Sequence, residues 1–158
     1  MDATGLARSL LGSIPAHQSL GLDVVWSADG VGEVAVQVPL RFGNVIGALH
    51  SSGLITLIDA AGLAAIVSAC PGEGSFDGLV PLGTAAALRF LAPARGRLLA
   101  TCELTEDARR LLTAVCGGEE QRVRFRTSAC VTSEAGTVVC EGTFDWNVRR
   151  VALHRAAA

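Results

Sequence analysis

The sequence predicts a single α+β domain in which an antiparallel sheet of about six strands is wrapped around one long central helix. A chain of 158 residues is long enough for one domain with its own hydrophobic core. The run from Ser51 to Ala69 is apolar on nearly every face, which is typical of a helix that protein encloses on all sides. Segments on both sides of this run alternate apolar and polar residues with a period of two, which indicates strands with one covered face.

The first elements precede the central helix. Residues 4–12 are predicted to form a short helix that ends before Pro15. Two strands follow, Leu22–Trp26 and Val31–Val38, and the turn-forming residues Ser27–Gly30 join them. We therefore expect a hairpin whose apolar face packs against the central helix.

The next segments begin at the central helix, which Ser51 or Ser52 is expected to cap. After it, Leu79–Leu91 and Arg97–Leu104 have the composition of strands. The short segment Ala92–Gly96 between them contains the proline and glycine that are common in tight connections. These two strands are therefore predicted to form a second hairpin.

The last third of the chain predicts one more helix and one more pair of strands. Glu106–Cys116 has apolar residues at helical spacing and is followed by Gly117-Gly118, which indicates an amphipathic surface helix that ends in a glycine cap. Arg122–Thr132 and Thr137–Val148 alternate in the manner of strands, with Ser133–Gly136 as the turn between them. With these, the predicted strands number six.

The composition restricts the classes of partner. Half of the residues are hydrophobic and 18% are charged, so more apolar surface is present than a small monomer readily buries, and we expect a homo-oligomer. The formal net charge of -2 argues against a nucleic-acid-binding face, which requires clustered Lys and Arg.

Cysteine usage and hydropathy predict a reduced protein in the cytoplasm. The five cysteines are an odd number and show no metal-ligand spacing, so we interpret them as reduced core residues and expect no metal site. The N-terminal residues show no apolar stretch of the kind found in a signal peptide. The longest apolar stretch, Leu54–Cys70, contains Asp59 and lacks flanking basic residues, which favours a buried helix over a membrane span.

Asp59 is the most unusual residue by position, because it is the only charged side chain between His50 and Glu73. A carboxylate that is removed from water without partners costs several kcal/mol, so the fold must hydrate it, hydrogen-bond it or expose it in a cleft. Both a structural role, with hydrogen bonds to backbone N–H groups, and a functional role remain open on this argument alone.

The segment Asn44–Gly62 carries a resemblance to a known family. Asn44, Gly47, His50 and Asp59 follow one another at the spacing of the Asn, Gly, His-Gly-Gly and acid signature of phenylacetyl-CoA thioesterase-like (PaaI-like) proteins. The sequence thus resembles the hot-dog-fold thioesterase superfamily, and more loosely so over its whole length. One departure is clear, because Ser51-Ser52 stands where the family has paired glycines.

The resemblance implies an acyl-CoA thioesterase. Asp59 would act as nucleophile or as general base toward the thioester, a role that suits a partly buried carboxylate. The backbone N–H of Ser51 or Ser52, at the positive end of the helix, would polarise the carbonyl group. Asn44 would orient the water or the acid, and His50 is a further candidate beside the helix start, although a histidine in such a place is more often structural.

The same resemblance implies a site between two subunits, and therefore a homodimer or a dimer of dimers. Gly47, Gly83 and Thr84 are then expected to contact the substrate, which is an acyl-CoA or an acyl-carrier thioester, and neither cofactor nor membrane is implied. Arg122, Arg124 and Arg126 form a stripe with the chemistry to bind the phosphates of coenzyme A, but a solvated sheet face explains them at least as well.

Two other functions remain open. The first is a non-catalytic protein that binds an acyl group or an acyl-CoA, which the serines at positions 51 and 52 would favour by altering the turn that accepts the carbonyl. The second is a hydratase or dehydratase, which needs a histidine base close to an acidic partner. His50 and Asp59 are nine residues apart, about two and a half helical turns, so they do not form such a pair on a straight helix.

Overall fold

A computed structural model describes residues 2–70 and 74–151, in which six antiparallel strands form one sheet. The helices are α1 (Ala3–Gly12), α2 (Pro15–Leu20), α3 (Ser51–Ser68) and α4 (Glu106–Gly117), with a 3-10 turn at Leu40–Phe42. The strands are β1 (Asp23–Ala28), β2 (Val31–Gln37), β3 (Leu79–Phe90), β4 (Arg97–Glu103), β5 (Arg122–Ser133) and β6 (Val138–Arg150). The predicted α+β class and the central helix are confirmed, whereas α2 and the 3-10 turn were not predicted.

The first and the last of the three predicted hairpins along the chain form as the sequence predicts. β1 and β2 pair across a two-residue turn, in which Asp29 and Gly30 both have positive φ, at 50° and 74°. Asp-Gly is favoured in such turns because both residues tolerate this conformation and the resulting twist matches that of the strands. β5 and β6 pair across the turn between Ser133 and Gly136, whose N–H donates to the Ser133 carbonyl at 2.9 Å.

The predicted hairpin between Leu79–Leu91 and Arg97–Leu104 is wrong. The strand order is β1-β2-β4-β5-β6-β3, so β4 lies between β2 and β5 while β3 pairs with β6 and forms an edge of the sheet. The connection between β3 and β4 does not turn back on itself, because Ala94 is buried and accepts a hydrogen bond from the Leu49 N–H just before α3. Proline and glycine mark where a strand stops, but they do not specify which strand it pairs with.

Small residues allow α3 to lie directly on the sheet. A Cβ atom at Gly32 of β2 would lie 2.3 Å from the Ala61 carbonyl oxygen, and one at Gly142 of β6 would lie 2.7 Å from Ile58. Gly62 of the helix similarly packs against the Trp146 ring. Because protein interiors tolerate little overpacking, these glycines fix the position of α3, and with it the position of every side chain that α3 carries.

One face of α3 remains open, which differs from the prediction of a helix enclosed on all sides. Ser51, Ser52 and Ile55 are exposed, and Asp59 and Leu63 are partly exposed on the same side. The helix has the length and the hydropathy of a membrane span, but 61% of it is buried inside the protein. We therefore interpret α3 as a core helix with one uncovered stripe.

The cysteines are all free, and Cys70, Cys102 and Cys140 are buried as the sequence predicts, whereas Cys116 and Cys130 are only partly buried. Burial raises the pKa of the Cys102 thiol to about 12 and that of the Cys140 thiol to about 11. Hydrogen bonding with Cys70 instead lowers the pKa of Cys116, which is only partly buried. Cys116 is therefore the thiol in this set that is most readily ionised.

Candidate active site

Asp59 lies on the open stripe of α3, and its side chain is 27% exposed. Most of the residues around it on the helix are apolar, so the carboxylate is partly removed from water yet still reachable. The Asp59 carboxylate is therefore neither fully buried nor fully hydrated. This agrees with the expectation that the fold must hydrate it, hydrogen-bond it or expose it in a cleft.

Of the two histidines in residues 2–70 and 74–151, His17 lies nearer to Asp59, and the sequence analysis did not predict this proximity. Its Nε2 atom lies 3.7 Å from Asp59 Oδ2, and its own side chain is 3% exposed. The ring belongs to α2, and Nδ1 lies 3.1 Å from the Leu11 carbonyl oxygen. The only sequence signal was a histidine flanked by Pro15 and Gly21, which does not indicate proximity to a residue 42 positions later in the chain.

The start of α3 is capped by His50 and not by Ser51 or Ser52, so the predicted cap is wrong. His50 Nδ1 accepts a hydrogen bond from the Ser52 N–H at 3.2 Å and lies 2.9 Å from the Ser52 hydroxyl. The Gly53 N–H donates to the His50 carbonyl at 2.9 Å. Within the described part of the chain, the Ser51 N–H makes no such bond and is the candidate donor for a ligand at the positive end of the helix.

Ser51 and Ser52 occupy the paired-glycine positions without strain. Both lie in the first turn of the α-helix, and neither has a positive φ. The conformational freedom of glycine is therefore not needed here, and the substitution changes only the space and the hydroxyl groups in front of the helix.

Asn44 organises the loop that leads to α3. Its Oδ1 atom accepts hydrogen bonds from the Ile46 and Ala48 N–H groups, both at 3.1 Å. Gly47 has a φ of 72°, a conformation that glycine adopts easily, and its N–H donates to the Asn44 carbonyl. These contacts account for Asn44 and Gly47 structurally, while the exposed Nδ2 group of Asn44 keeps its donors for a ligand.

Three of the predicted site residues line one cavity of about 500 Å³ at the start of α3. Asn44, His50 and Ser51 share it with Phe90 and with residues of the connection between β3 and β4. Asp59 does not line it, because it follows Ser51 by eight residues, a distance of about 12 Å along a helix axis. A single protomer thus separates the candidate acid from the candidate carbonyl-binding donor.

Gly83 and Thr84 lie apart from this cavity on the edge strand β3. Thr84 is six residues from Phe90, which corresponds to about 20 Å along a strand. Its hydroxyl donates to the Asp145 carbonyl at 3.1 Å, where the pairing of β3 with β6 is irregular. Neither residue lines the cavity at the start of α3, and their contact with a substrate stays a prediction.

A smaller cavity of about 240 Å³ lies further along the open stripe. It is lined by apolar residues, namely Leu10 and Leu11 of α1, Ile14 before α2, Leu63 and Val67 of α3, Phe76 before β3 and Pro81 of β3. Leu63 lies one helical turn beyond Asp59, and the carbonyl of Leu11 binds His17. Sequence patterns did not indicate this cavity, because its residues are far apart in the chain.

The arginine stripe belongs to the outer face of the sheet. Arg126 donates two hydrogen bonds to the Asp145 carboxylate, at 2.6 Å and 2.9 Å. This pairing lowers the pKa of Asp145 and raises that of Arg126. Arg126 is therefore already paired, which favours the interpretation as a solvated sheet face. Among residues 2–70 and 74–151, no group of three or more potential ligands is arranged to hold a metal ion.

A family model for a domain of unknown function, DUF4442, matches residues 11–148. The chain belongs to the DUF4442 family. The match includes His17, the loop before α3, Asp59 and all six strands up to Val148. No curated protein matches this DUF4442 chain.

Solved structures share the fold of this DUF4442 protein. A Pseudomonas aeruginosa protein described as a probable thioesterase is 25% identical, with a TM-score of 0.74 over 94% of this chain and 96% of that one. The PaaI protein of the Escherichia coli phenylacetic acid degradation operon is 17% identical, with a TM-score of 0.68 over 95% and 94% of the two chains. A Haemophilus influenzae thioesterase is 18% identical, with a TM-score of 0.69 over 94% and 91%. The fold is therefore the hot-dog fold, and the predicted resemblance to its PaaI-like thioesterase branch is confirmed.

The capping role of His50 leads to a testable prediction. Replacement His50→Ala should lower the free energy of unfolding by about 0.5–2 kcal/mol, because the Ser52 N–H loses its partner. His50→Asn should stay close to wild type, because asparagine is a strong cap. Chemical denaturation of the three proteins measures the difference. A variant His50→Asn that unfolds as easily as His50→Ala would contradict the capping role.

Proposed function

We propose that this protein is an acyl-CoA thioesterase in which Asp59 acts on a thioester whose carbonyl group binds at the start of α3. The observation that carries the proposal is the position of Asp59, a partly exposed carboxylate on the open stripe of the central helix in a hot-dog fold. Similarity to proteins described as thioesterases supports the reaction class, and the motif Asn44, Gly47, His50 and Asp59 supports the assignment of residues.

The proposed reaction uses two groups, the Asp59 carboxylate and the Ser51 N–H at the start of α3. Asp59 takes a proton from water while the water oxygen attacks the carbonyl carbon, and the carbonyl oxygen becomes an oxyanion. The free Ser51 N–H, at the positive end of α3, donates a hydrogen bond to that oxyanion. The intermediate then collapses, the C–S bond breaks, and the thiolate takes up the proton. A direct attack by the Asp59 carboxylate, followed by hydrolysis of the resulting anhydride, uses the same two groups.

This chemistry requires two copies of the chain. The acid and the oxyanion donor must both lie within about 3.5 Å of the same carbonyl group, whereas Asp59 and Ser51 of one helix are about 12 Å apart. Two α3 helices that face each other across a two-fold axis bring Asp59 of one protomer opposite Ser51 of the other. The site is therefore proposed to lie between two protomers.

The exposed apolar residues of α3 and β3 are suited to contact with a second copy of the chain. Ile55 on the open face of α3 is 41% exposed, and Phe90 on the edge strand is 56% exposed. Gly83 and Ala86 are exposed although they pair with Trp146 and Phe144, whose side chains belong to the buried core. The free edge of β3 is a template for pairing with the same strand of another copy. Such a dimer would place Gly83 and Thr84 beside the partner's helix, and further pairing of dimers is compatible with it.

The apolar cavity beside Leu63 is the proposed acyl site. It begins one turn from Asp59, so an acyl group placed there leaves its carbonyl near the acid. Cavities of about 150 Å³ can hold benzene, so a cavity of about 240 Å³ suits a short to medium acyl chain or an aromatic acyl group. The carrier, coenzyme A or an acyl-carrier protein, would remain outside the cavity, and the cytoplasm is the proposed compartment for either.

A non-catalytic acyl-binding protein is the second candidate. It is favoured by the His50 ring, which occupies the Ser52 N–H, because one donor fewer remains at the start of α3 to bind a thioester carbonyl group. A hydratase is not favoured, because His17 is the histidine beside Asp59 and its side chain is only 3% exposed, too buried to reach a substrate.

Thiol release from a panel of short, medium, long and aromatic acyl-CoAs tests the proposed reaction. Asp59→Asn should lower kcat by about 10²–10⁴-fold, because the general base is lost. Asp23→Asn serves as the matched control, since Asp23 is exposed on β1 and should keep the wild-type rate. Blank reactions without substrate correct for the partly buried Cys116 and Cys130. Binding of an acyl-CoA without thiol release in any wild-type reaction would contradict the thioesterase and favour the binding protein.

Sedimentation equilibrium tests the proposed dimer. Wild type should have at least twice the protomer mass of 16.3 kDa. Ala86→Lys should shift the mass toward the monomer, because it places a charge on the helix side of the free edge strand. Ala85→Lys is the control, since the adjacent side chain points to the opposite face of the sheet. A wild-type protein that remains at the protomer mass at high concentration would rule out the two-protomer site.

A further inference from the structure

His17 is the most deeply buried titratable side chain in contact with the candidate site, and the proposed chemistry has not used it. Its ring is hydrogen-bonded through Nδ1, which lies 3.1 Å from the Leu11 carbonyl oxygen, while Nε2 lies 3.7 Å from Asp59 Oδ2, within ion-pair distance. The ring has almost no contact with solvent, since 3% of the side chain is exposed. A polar ring is rarely buried in this way unless both of its nitrogens have partners.

The groups next to the His17 ring indicate which of its two nitrogens carries a proton. A backbone carbonyl can only accept a hydrogen bond, so Nδ1 of His17 must carry a proton and donate it to Leu11. Nε2 is then the nitrogen that faces the carboxylate. The ionised carboxylate of Asp59 accepts hydrogen bonds and cannot donate one, so a hydrogen on Nε2 is the atom that can point toward it.

We infer that His17 is a positioning residue for Asp59. The inference rests on the proposed function, in which Asp59 is the acid that attacks or activates water. Because the buried ring lies against Oδ2 at 3.7 Å, it limits the rotation of the carboxylate. A misplacement of about 1 Å in a reacting group can cost about 10²-fold in rate, so such a restriction has a measurable effect.

The local structure keeps the ring in place. α2 starts with Pro15, whose fixed φ suits the first turn of a helix, and ends at Gly21 in the left-handed conformation with a φ of 73°. These two residues therefore set the start and the end of a short helix that packs between α1 and α3. The same segment supplies Leu11 and Ile14 to the apolar cavity, so the proposed acyl site and the support for Asp59 are built by one stretch of chain.

The charged groups around the ring are few. α3 contributes Asp59, and α1 contributes the uncharged Leu11 carbonyl. Arg41, which follows β2, donates to the Ser19 carbonyl at the end of α2 and makes no recorded contact with the ring. Among the residues that the structure describes, Asp59 is therefore the charge that His17 faces within ion-pair distance.

Two substitutions separate the two contacts of the ring. His17→Gln can place its amide nitrogen near the position of Nε2, which preserves a donor toward Asp59 and gives up the bond to Leu11. His17→Asn can place its shorter amide near the position of Nδ1, which preserves the bond to Leu11 and gives up the contact with Asp59. The pair therefore distinguishes support for Asp59 from a purely structural tie between α1 and α2.

The expected result is a difference in kcat between these variants. His17→Asn should lower kcat by about 10- to 100-fold with little change in KM, because the carboxylate loses its orientation but the acyl site remains. His17→Gln should retain more activity than His17→Asn. Equal losses in the two variants, or a higher rate for His17→Asn, would overturn the inference, and circular dichroism confirms that each variant is folded.

A second measurement does not depend on activity or on the stability of the His17 variants. The chain has three histidines, so their ring signals can be resolved by nitrogen-15 NMR. In Asp59→Asn, the Nε2 signal of His17 should move, while its Nδ1 signal keeps the character of a donor to a carbonyl. An unchanged Nε2 signal would overturn the inference. If the wild-type protein releases no thiol while Nε2 responds, the proposed function fails and the contact between His17 and Asp59 stands.

Discussion

The close packing of α3 on the sheet is the interaction on which the rest of the structure depends. Gly32 and Gly142 let the helix approach the strands so closely that a single Cβ atom would collide with it. The buried side of the helix then consists almost entirely of apolar residues, and the one carboxylate can lie only on the side that the sheet leaves open. The placement of Asp59 is thus a consequence of how the core is packed.

A helix placed in this way has two chemically different regions that one protomer cannot combine. The free N–H group of Ser51 lies at its positive end, and the acid lies two turns away on the same face. The exposed Ile55 and Phe90 and the free edge of β3 show that the covering of this face is incomplete in a single chain. The surface that we propose to bind a second copy is therefore also the surface that carries the candidate acid.

Local patterns predicted most of the fold, and long-range contacts account for what they missed. The central helix, the Asp29-Gly30 turn and the glycine-terminated helix α4 each follow from neighbouring residues. The pairing of β3 with β6 does not follow from neighbouring residues. Alternating apolar residues indicate that one face of a strand is covered, but they do not indicate which strand it pairs with. The motif identified Asp59, but neither the His50 cap nor the proximity of His17 could be predicted, since both depend on side-chain orientation in the folded chain.

The most direct test of the two-protomer site is the activity of mixed dimers. Ser51→Pro removes the candidate N–H donor at a helix position that favours proline, and His50 already has the extended conformation, with a ψ of 151°, that a following proline requires. Ser51→Pro and Asp59→Asn should each be nearly inactive alone. In an equal mixture that exchanges subunits, half of the dimers contain one intact site, so activity should recover to about one quarter of wild type. An exchanged mixture no more active than its parents would contradict a site shared between two protomers.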